Sequence, residues 1–498
     1  MVKITVHQNA KLSEAEAGPG EILLNVLRNN GFDVYSPFGG NGTCGKCKVH
    51  VKGEGIVTSC IYPVNESIEI VLPDKREAKV LVAQHAYTIQ LPLIPGPCAD
   101  LSGYPHGVAI DIGTTSLVLY LVNLITGTLV ETRAILNPQA KYGADVISRI
   151  QFTASRSDGL KILQAEIIDS INRELTHLIN FAGISENELI KIVIAGNTTM
   201  LHLLLGVNPV SLALAPFKAQ FLDEQILRGK ELALNCLPGA EIKILPSISA
   251  YVGADIVAGL ASIAPSERFR NYLFMDIGTN GELALVTEDK IWCCSTAAGP
   301  AFEGAKISCG MGAVEGAISA YGKDGYTVIG DEKPVGLCGS GLIDLVSWLC
   351  SAGKIDSEGQ LSNDFEIVQA SESGTGYPIF FNQNDVREVQ LAKSAIASGV
   401  KILLKESGLE FEQLDALFLA GGFGNYINTE SAIRIGLIPA DMKDRIIPLG
   451  NTSGTGALAA LKSIWFDESV KKVLGKSVVV ELANDEDFAL EFAMNMMF

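Results

Sequence analysis

Basic residues are scarce in this sequence: 38 Lys and Arg face 56 Asp and Glu, for a formal net charge of −18 at pH 7. No block of Lys and Arg occurs anywhere. Binding to nucleic acid needs clustered cations to neutralise phosphates, so the composition argues against a nucleic-acid partner. Long apolar runs are lacking too. None approaches the roughly 18 residues of a membrane span, and the opening MVKITVHQNAKLSEAEAG has no apolar signal core. The expected setting is cytoplasmic, with no membrane partner. Histidine is rare, six in all and at no ligand spacing; His202, behind NTTM on an apolar helix, reads as packing rather than catalysis.

Ten cysteines are present, and in such a compartment they read as metal ligands or buried thiols rather than a disulfide framework. Cys98, Cys236, Cys293, Cys294, Cys309, Cys338 and Cys350 fit the second description. Apolar residues make up 48% and charged residues 19%, and 498 residues exceed one hydrophobic core, so two to four domains are expected. The 50 glycines gather in short motifs, which suggests tight turns rather than flexible tracts.

VKITVH alternates like a strand, EILLNVLRNNGF has helical spacing, and CKVHVKGEG and SIEIVLP read as further strands. Residues 1–75 therefore form a small β-rich domain with one helix. Residues 76–105, with four prolines between Leu91 and His106, read as an extended linker. An α/β body follows in two related halves, 106–265 and 266–498. Its duplication is visible in AIDIGTTS against FMDIGTNG and in YGADVISRI against YVGADIVAGL.

Each DIGT segment ends an apolar strand on an aspartate followed by glycine and small hydroxyl residues. Glycine lets backbone N–H groups approach phosphate oxygens, and threonine hydroxyls donate to them. An aspartate beside phosphate requires Mg2+ or a positioned water between the two. AGGFG, at another strand end, offers bare backbone on which a flat adenosine could lie. One DIGT is a weak signal; two in order followed by AGGFG form a strong one.

That order resembles the phosphate-1, phosphate-2 and adenosine motifs of the acetate and sugar kinase, Hsp70 and actin superfamily. The resemblance implies an α/β fold of two ribonuclease-H-like halves with ATP and Mg2+ in the cleft. It assigns Asp111, Gly113, Thr114 and Thr115 to the first loop, and Asp276, Gly278, Thr279, Asn280 and Glu282 to the second. Gly421, Gly422 and Gly424 form the third. Asp111 and Asp276 would organise Mg2+ and the attacking water, with Asp255 a further candidate for positioning water or capping its helix.

More narrowly, NPQAKYGADVISRI, AGNTTMLHLLLG, STAAGPAFEGAKISCGMGA, GLCGSGLIDL and LAGGFGNYIN resemble the ATP-dependent reductive activators of corrinoid proteins. In that family a small α+β ferredoxin-like (β-grasp) domain precedes the ATPase, and residues 1–75 fit it. The chain is short between linker and body, which implies that the additional middle domain of longer members is missing. The implied function is restoration of Co(II) corrinoid proteins of methyl transfer to Co(I). The implied partners are a corrinoid protein and an electron donor protein, and the resemblance leaves room for a homodimer. An ATP-driven docking or regulatory factor and a small-molecule kinase are the rival readings.

In the family the glycine-rich loop carries four cysteines around a 2Fe–2S cluster. Here Cys44, Cys47 and Cys60 match the last three, and Phe38 stands where the first belongs. Phenylalanine cannot coordinate iron. Three occupancies remain open: a cluster completed by an outside oxygen such as that of Ser36, an empty site, or zinc held by three thiolates and water.

Overall fold

The computed structural model describes residues 1–8, 11–32, 34, 47–72, 87–96, 105–236, 238–264, 268–421 and 426–498. At the N-terminus Val2–Gln8 pairs antiparallel with Lys11–Ala17 and parallel with Ile68–Val71. Lys48–Val51 and Gly55–Thr58 complete a five-stranded sheet. Helix Leu23–Asn29 lays Leu23, Leu24, Val26 and Leu27 into a core shared with Ile4, Val6 and Ile70. The expected small α+β unit is thus formed by alternating strands and one short amphipathic helix.

The body holds the same sheet twice. In the first half, His106–Ile112 pairs antiparallel with Ser116–Asn123, which pairs antiparallel with Leu129–Leu136. On its other side His106–Ile112 pairs parallel with Leu189–Gly196, which pairs parallel with Glu241–Ile244. In the second half Tyr272–Ile277, Gly281–Val286, Ile291–Thr296, Ala416–Ala420 and Ile446–Gly450 repeat that order and those directions. Each half adds a different edge strand, Gln225–Arg228 or Ser477–Val479. HGVAIDI is buried at every position because helices cover both faces of its sheet. This is the ribonuclease-H-like pair expected from the doubled motif.

Helices Ala254–Ser262 and Thr452–Lys462 join the halves. They approach so closely that a Cβ on Gly456 would stand 2.2 Å from the Ala258 carbonyl oxygen. One core fills the first half and continues into Phe274, Phe418 and Leu458 of the second; another fills the rest of the second half. Cys293 and Cys294, adjacent on one strand, enter different cores, as the alternation of a strand requires. Cys236 and Cys338 are buried as expected, whereas Cys309 and Cys350 keep partial exposure and Cys98 lies outside the described residues. His202 is buried, bonded to the Thr198 carbonyl at 2.7 Å and stacked on Phe221.

Among the described residues no helix is long and apolar enough to cross a membrane. Within the linker, residues 87–96 form bridges from Thr88 to Ile263 and from Ile94 to Ser463.

Candidate functional site

The two DIGT segments form matching hairpin turns on the central strands of the two sheets. In the first, the Gly113 N–H donates to the Ser116 carbonyl at 2.9 Å. Asn137 Nδ2 donates to the Gly113 carbonyl at 2.7 Å, and Asn197 Nδ2 to Thr114 Oγ1 at 2.9 Å. In the second, the Gly278 N–H donates to the Asn280 carbonyl at 2.9 Å. Thr115 and Thr279, one from each loop, turn their hydroxyls onto the same carboxylate. Thr115 Oγ1 donates to Glu303 Oε1 at 2.8 Å, and Thr279 Oγ1 donates to the other oxygen of Glu303. The two loops therefore face each other across a gap that one oxyanion spans.

Acidic groups dominate the surroundings. Asp111 is buried; Asn451 Nδ2 donates to one of its oxygens at 2.8 Å and Ser453 Oγ to the other at 2.7 Å. Both donors belong to the turn and first residues of helix Thr452–Lys462, so the second half clasps the first half's aspartate. Burial raises the Asp111 carboxyl above its usual range. Asp276 is pushed up to about 8, by burial first and then by Asp255, Asp111 and Glu303. Asp255 rises to about 7 through burial and repulsion from Asp111. Glu282, the cross-strand partner of Asp276, is raised well above its ordinary value by burial and by both of those aspartates. Carboxylates held this close want a cation.

Arg149 supplies part of that charge. It is fully buried, donating from Nε to the Gly143 carbonyl at 2.9 Å and from Nη1 to Met200 Sδ at 3.0 Å. Nη2 donates to the Thr114 carbonyl, pinning the first loop from behind. Burial lowers its pKa to about 9 against the pull of Asp145 and Glu303. A hard divalent cation suits the oxygen donors opposite it. Among the described residues no three His, Cys, Asp or Glu side chains gather as a closed metal site. Mg2+ does not need one, since it takes one or two carboxylates and completes its shell with water and phosphate.

Of the third motif, Gly421 follows strand Ala416–Ala420 with φ +88°, and a Cβ there would meet Asp276 Oδ1 at 2.6 Å. Only glycine lets this backbone lie against the second loop's aspartate. Gly422 and Gly424 lie outside the described residues. Asp255 sits in the first turn of helix Ala254–Ser262, where Gly253 is the cap, and its Oδ1 accepts the Ile256 N–H at 2.9 Å.

In the N-terminal unit, Cys47 is buried and its sulfur accepts the Cys60 N–H at 3.4 Å. Amide donation onto sulfur of this kind is one feature by which proteins tune iron–sulfur sites, and Cys47 also packs into the core of this unit. Cys44, Phe38 and Ser36 lie outside the described residues. The Arg28 guanidinium lies beside Cys47 and Cys60 and donates to the Lys141 carbonyl of the body.

Glu303, Arg149, Asn451 and Ser453 were not legible as site residues from the sequence. Each had a faint signal: a lone carboxylate in AGPAFEG, a cation within the apolar YGADVISRI, and a capping Asn-Thr-Ser after a strand in GNTSGTG.

Two family models match in succession: the RACo middle region over residues 106–264 and the C-terminal domain of RACo, the ASKHA domain, over residues 270–498. The corrinoid activation enzyme RamQ of Eubacterium limosum is 36% identical over 418 residues, spanning 79% of this chain and 70% of that one. The Co(II) methylated amine-specific corrinoid protein reductase of Methanosarcina barkeri is 28% identical over 383 residues, spanning 70% and 68%. The solved structure of a reductive activator for corrinoid, iron–sulfur protein matches with a TM-score of 0.72 at 28% identity, covering 100% of this chain and 98% of that one.

Proposed function

The chain belongs to the RACo-type family of reductive activators of corrinoid proteins, and from that premise we propose that it uses ATP to restore a Co(II) corrinoid protein to Co(I). The observation that carries the ATP part of this reading is the pair of loops whose threonines bind one oxyanion between them. A polyphosphate is the ligand such a pair suits, with hydroxyl and backbone donors arriving from both halves. Residues 106–265 and 266–498 are then the two lobes of an ATPase, 76–105 its linker and 1–75 a ferredoxin-like domain.

In this reading Thr114, Thr115, Thr279 and Asn280 orient the phosphates, and Glu282 supports the second loop. Gly421, Gly422 and Gly424 provide backbone for adenosine. Asp111 and Asp276 would hold Mg2+, which supplies charge neutralisation and polarisation of the terminal phosphate. Asp255, with its carboxyl near 7, accepts a proton from the attacking water. Hydrolysis gives ADP and phosphate and transfers no electron. Its contribution is to bias the angle between the lobes, and hence which corrinoid state the activator docks against.

One electron per cobalt comes from a donor protein. Cys44, Cys47 and Cys60 would hold a 2Fe–2S cluster, which supplies the one-electron relay. The protein acts in the cytoplasm on a corrinoid protein partner.

The test is an anaerobic visible spectrum of a Co(II) corrinoid protein mixed with this chain and a low-potential reductant. Co(I) bands that grow only when Mg2+–ATP is added are expected. ATP consumption stimulated instead by a small hydroxyl or carboxylate compound, with a phosphorylated product, would make the protein a kinase. Iron and sulfide near zero in the native chain, beside a brown Phe38→Cys variant, would make it an ATP-driven docking factor that relies on another protein's cluster.

A further inference from the structure

Glu303 belongs to neither DIGT loop, yet it holds both. Its two carboxylate oxygens take the hydroxyl protons of Thr115 and Thr279, the donors that a terminal phosphate needs. A threonine hydroxyl has one proton to donate. While it is given to Glu303, it is not available to a phosphate oxygen.

We propose that Glu303 is a placeholder for the terminal phosphate: it bridges the two loops, and a nucleotide enters by taking its two threonines. The inference rests on the reading that the loops bind a polyphosphate. It adds a competing internal ligand and a positioning role to that site. Arg149 fits the exchange. Fully buried behind the first loop, it draws on the charge of Glu303, and a phosphate that replaces the carboxylate presents charge of the same sign. The switch would leave Arg149 in place and alter what it faces. Glu303 lies in the segment Gly299-Pro-Ala-Phe-Glu-Gly304, whose two glycines both sit at positive φ.

Competition makes a prediction that mere repulsion does not. Charge-assisted hydrogen bonds are roughly twice as strong as neutral ones, so breaking two of them opposes nucleotide binding in the wild-type protein. Glu303→Gln keeps the shape and removes the charge; binding of Mg2+–AMPPNP, followed by calorimetry on the full chain, should tighten about fivefold or more. Glu303→Asp keeps the charge but is one methylene too short to span both hydroxyls, and it should tighten binding as well. A pure charge effect leaves Glu303→Asp unchanged.

The deciding measurement is a double-mutant cycle. Thr115→Val in the wild-type background loses a bond to phosphate and a bond to Glu303 together, so affinity should fall only about twofold. In the Glu303→Gln background the second loss is smaller, and the same substitution should cost about tenfold. Equal costs in the two backgrounds would overturn the proposal, as would weaker nucleotide binding by a folded Glu303→Gln variant. Absence of nucleotide binding in wild type and every variant would overturn the polyphosphate reading, and this inference with it.

Discussion

Asp276 shows how a candidate site residue sets a local cost. Its carboxyl titrates near 8 because burial and three neighbouring carboxylates penalise the charged form, while in an unfolded chain it titrates near 4. The folded state therefore binds this proton more tightly. The stabilising effect of the bound proton is complete below about pH 4 and is lost as pH rises through about 8, at no more than about 1.4 kcal/mol per pH unit. Asp276→Asn removes the titration. Without nucleotide or Mg2+, its thermal midpoint should exceed that of the wild type by a margin that is small at pH 5 and large at pH 8, while ATP hydrolysis is abolished. Calorimetry at the two pH values checks it, and an equal margin at both would refute the assignment. Asp276 was legible because its motif is local and repeated. Glu303 and Asn451 were not, because what defines them is a partner far away in the chain: Thr115 is 188 positions from the first, and Asp111 is 340 from the second. Sequence spacing carries no record of such a contact.

Elements were legible where pattern and environment agreed. VKITVH and HGVAIDI announce strands by alternation or by continuous apolarity, and the doubled DIGT announces the doubled sheet. KLSEAEA does not. It buries only Ala15 and Ala17 at the sheet edge and is made of weak strand formers, so pairing with Val2–Gln8 decides its conformation. The helix pair between the lobes is a second case, since GNTSGTGALAALK reads as a helix but gives no partner. Its close approach to Ala254–Ser262 depends on Gly456, where a methyl group would lie 2.2 Å from the Ala258 oxygen. Gly456→Ala should therefore push the helices apart and cost about 2–3 kcal/mol. It should also weaken nucleotide binding, because Asn451 and Ser453 at the start of that helix hold Asp111. Gly475→Ala lies in helix Phe466–Lys476 with nothing near the added carbon and should gain up to about 1 kcal/mol from helix propensity. Urea midpoints moving the same way for both variants would show that the contact between the lobes is slack.

At the scale of the whole molecule, the question is how the change of lobe angle proposed above would reach the N-terminal unit. Helices end with carbonyls that have no partner within the helix, and the linker meets two such ends. The Ile89 N–H donates to the carbonyl of Ser262, the last residue of helix Ala254–Ser262, at 2.8 Å. The Ile94 N–H donates to the carbonyl of Lys462, the last residue of helix Thr452–Lys462, at 2.9 Å. One helix comes from each half of the sequence, and Thr452–Lys462 packs on strands His106–Ile112 and Leu189–Gly196 of the first half, so the linker is tied to both members of the helix pair and must respond when their ends separate. A second tie runs from the N-terminal unit to the first lobe, where Arg28 meets the Lys141 carbonyl. That segment also carries Asn137, which holds Gly113. The linker composition, rich in proline, predicted an extended chain but not an anchorage, because backbone donors leave no trace in residue type. Ile94→Pro deletes one anchor without touching the nucleotide loops. ATP hydrolysis should stay within about twofold of wild type, while ATP-dependent reduction of the corrinoid protein falls about tenfold, equivalent to about 1.4 kcal/mol of lost coupling. The two rates, measured on one preparation, decide the matter: a parallel fall would place the strap's role in folding of the lobes, whereas a fall in reduction alone would identify it as the connection through which the ATPase drives the electron-transfer end.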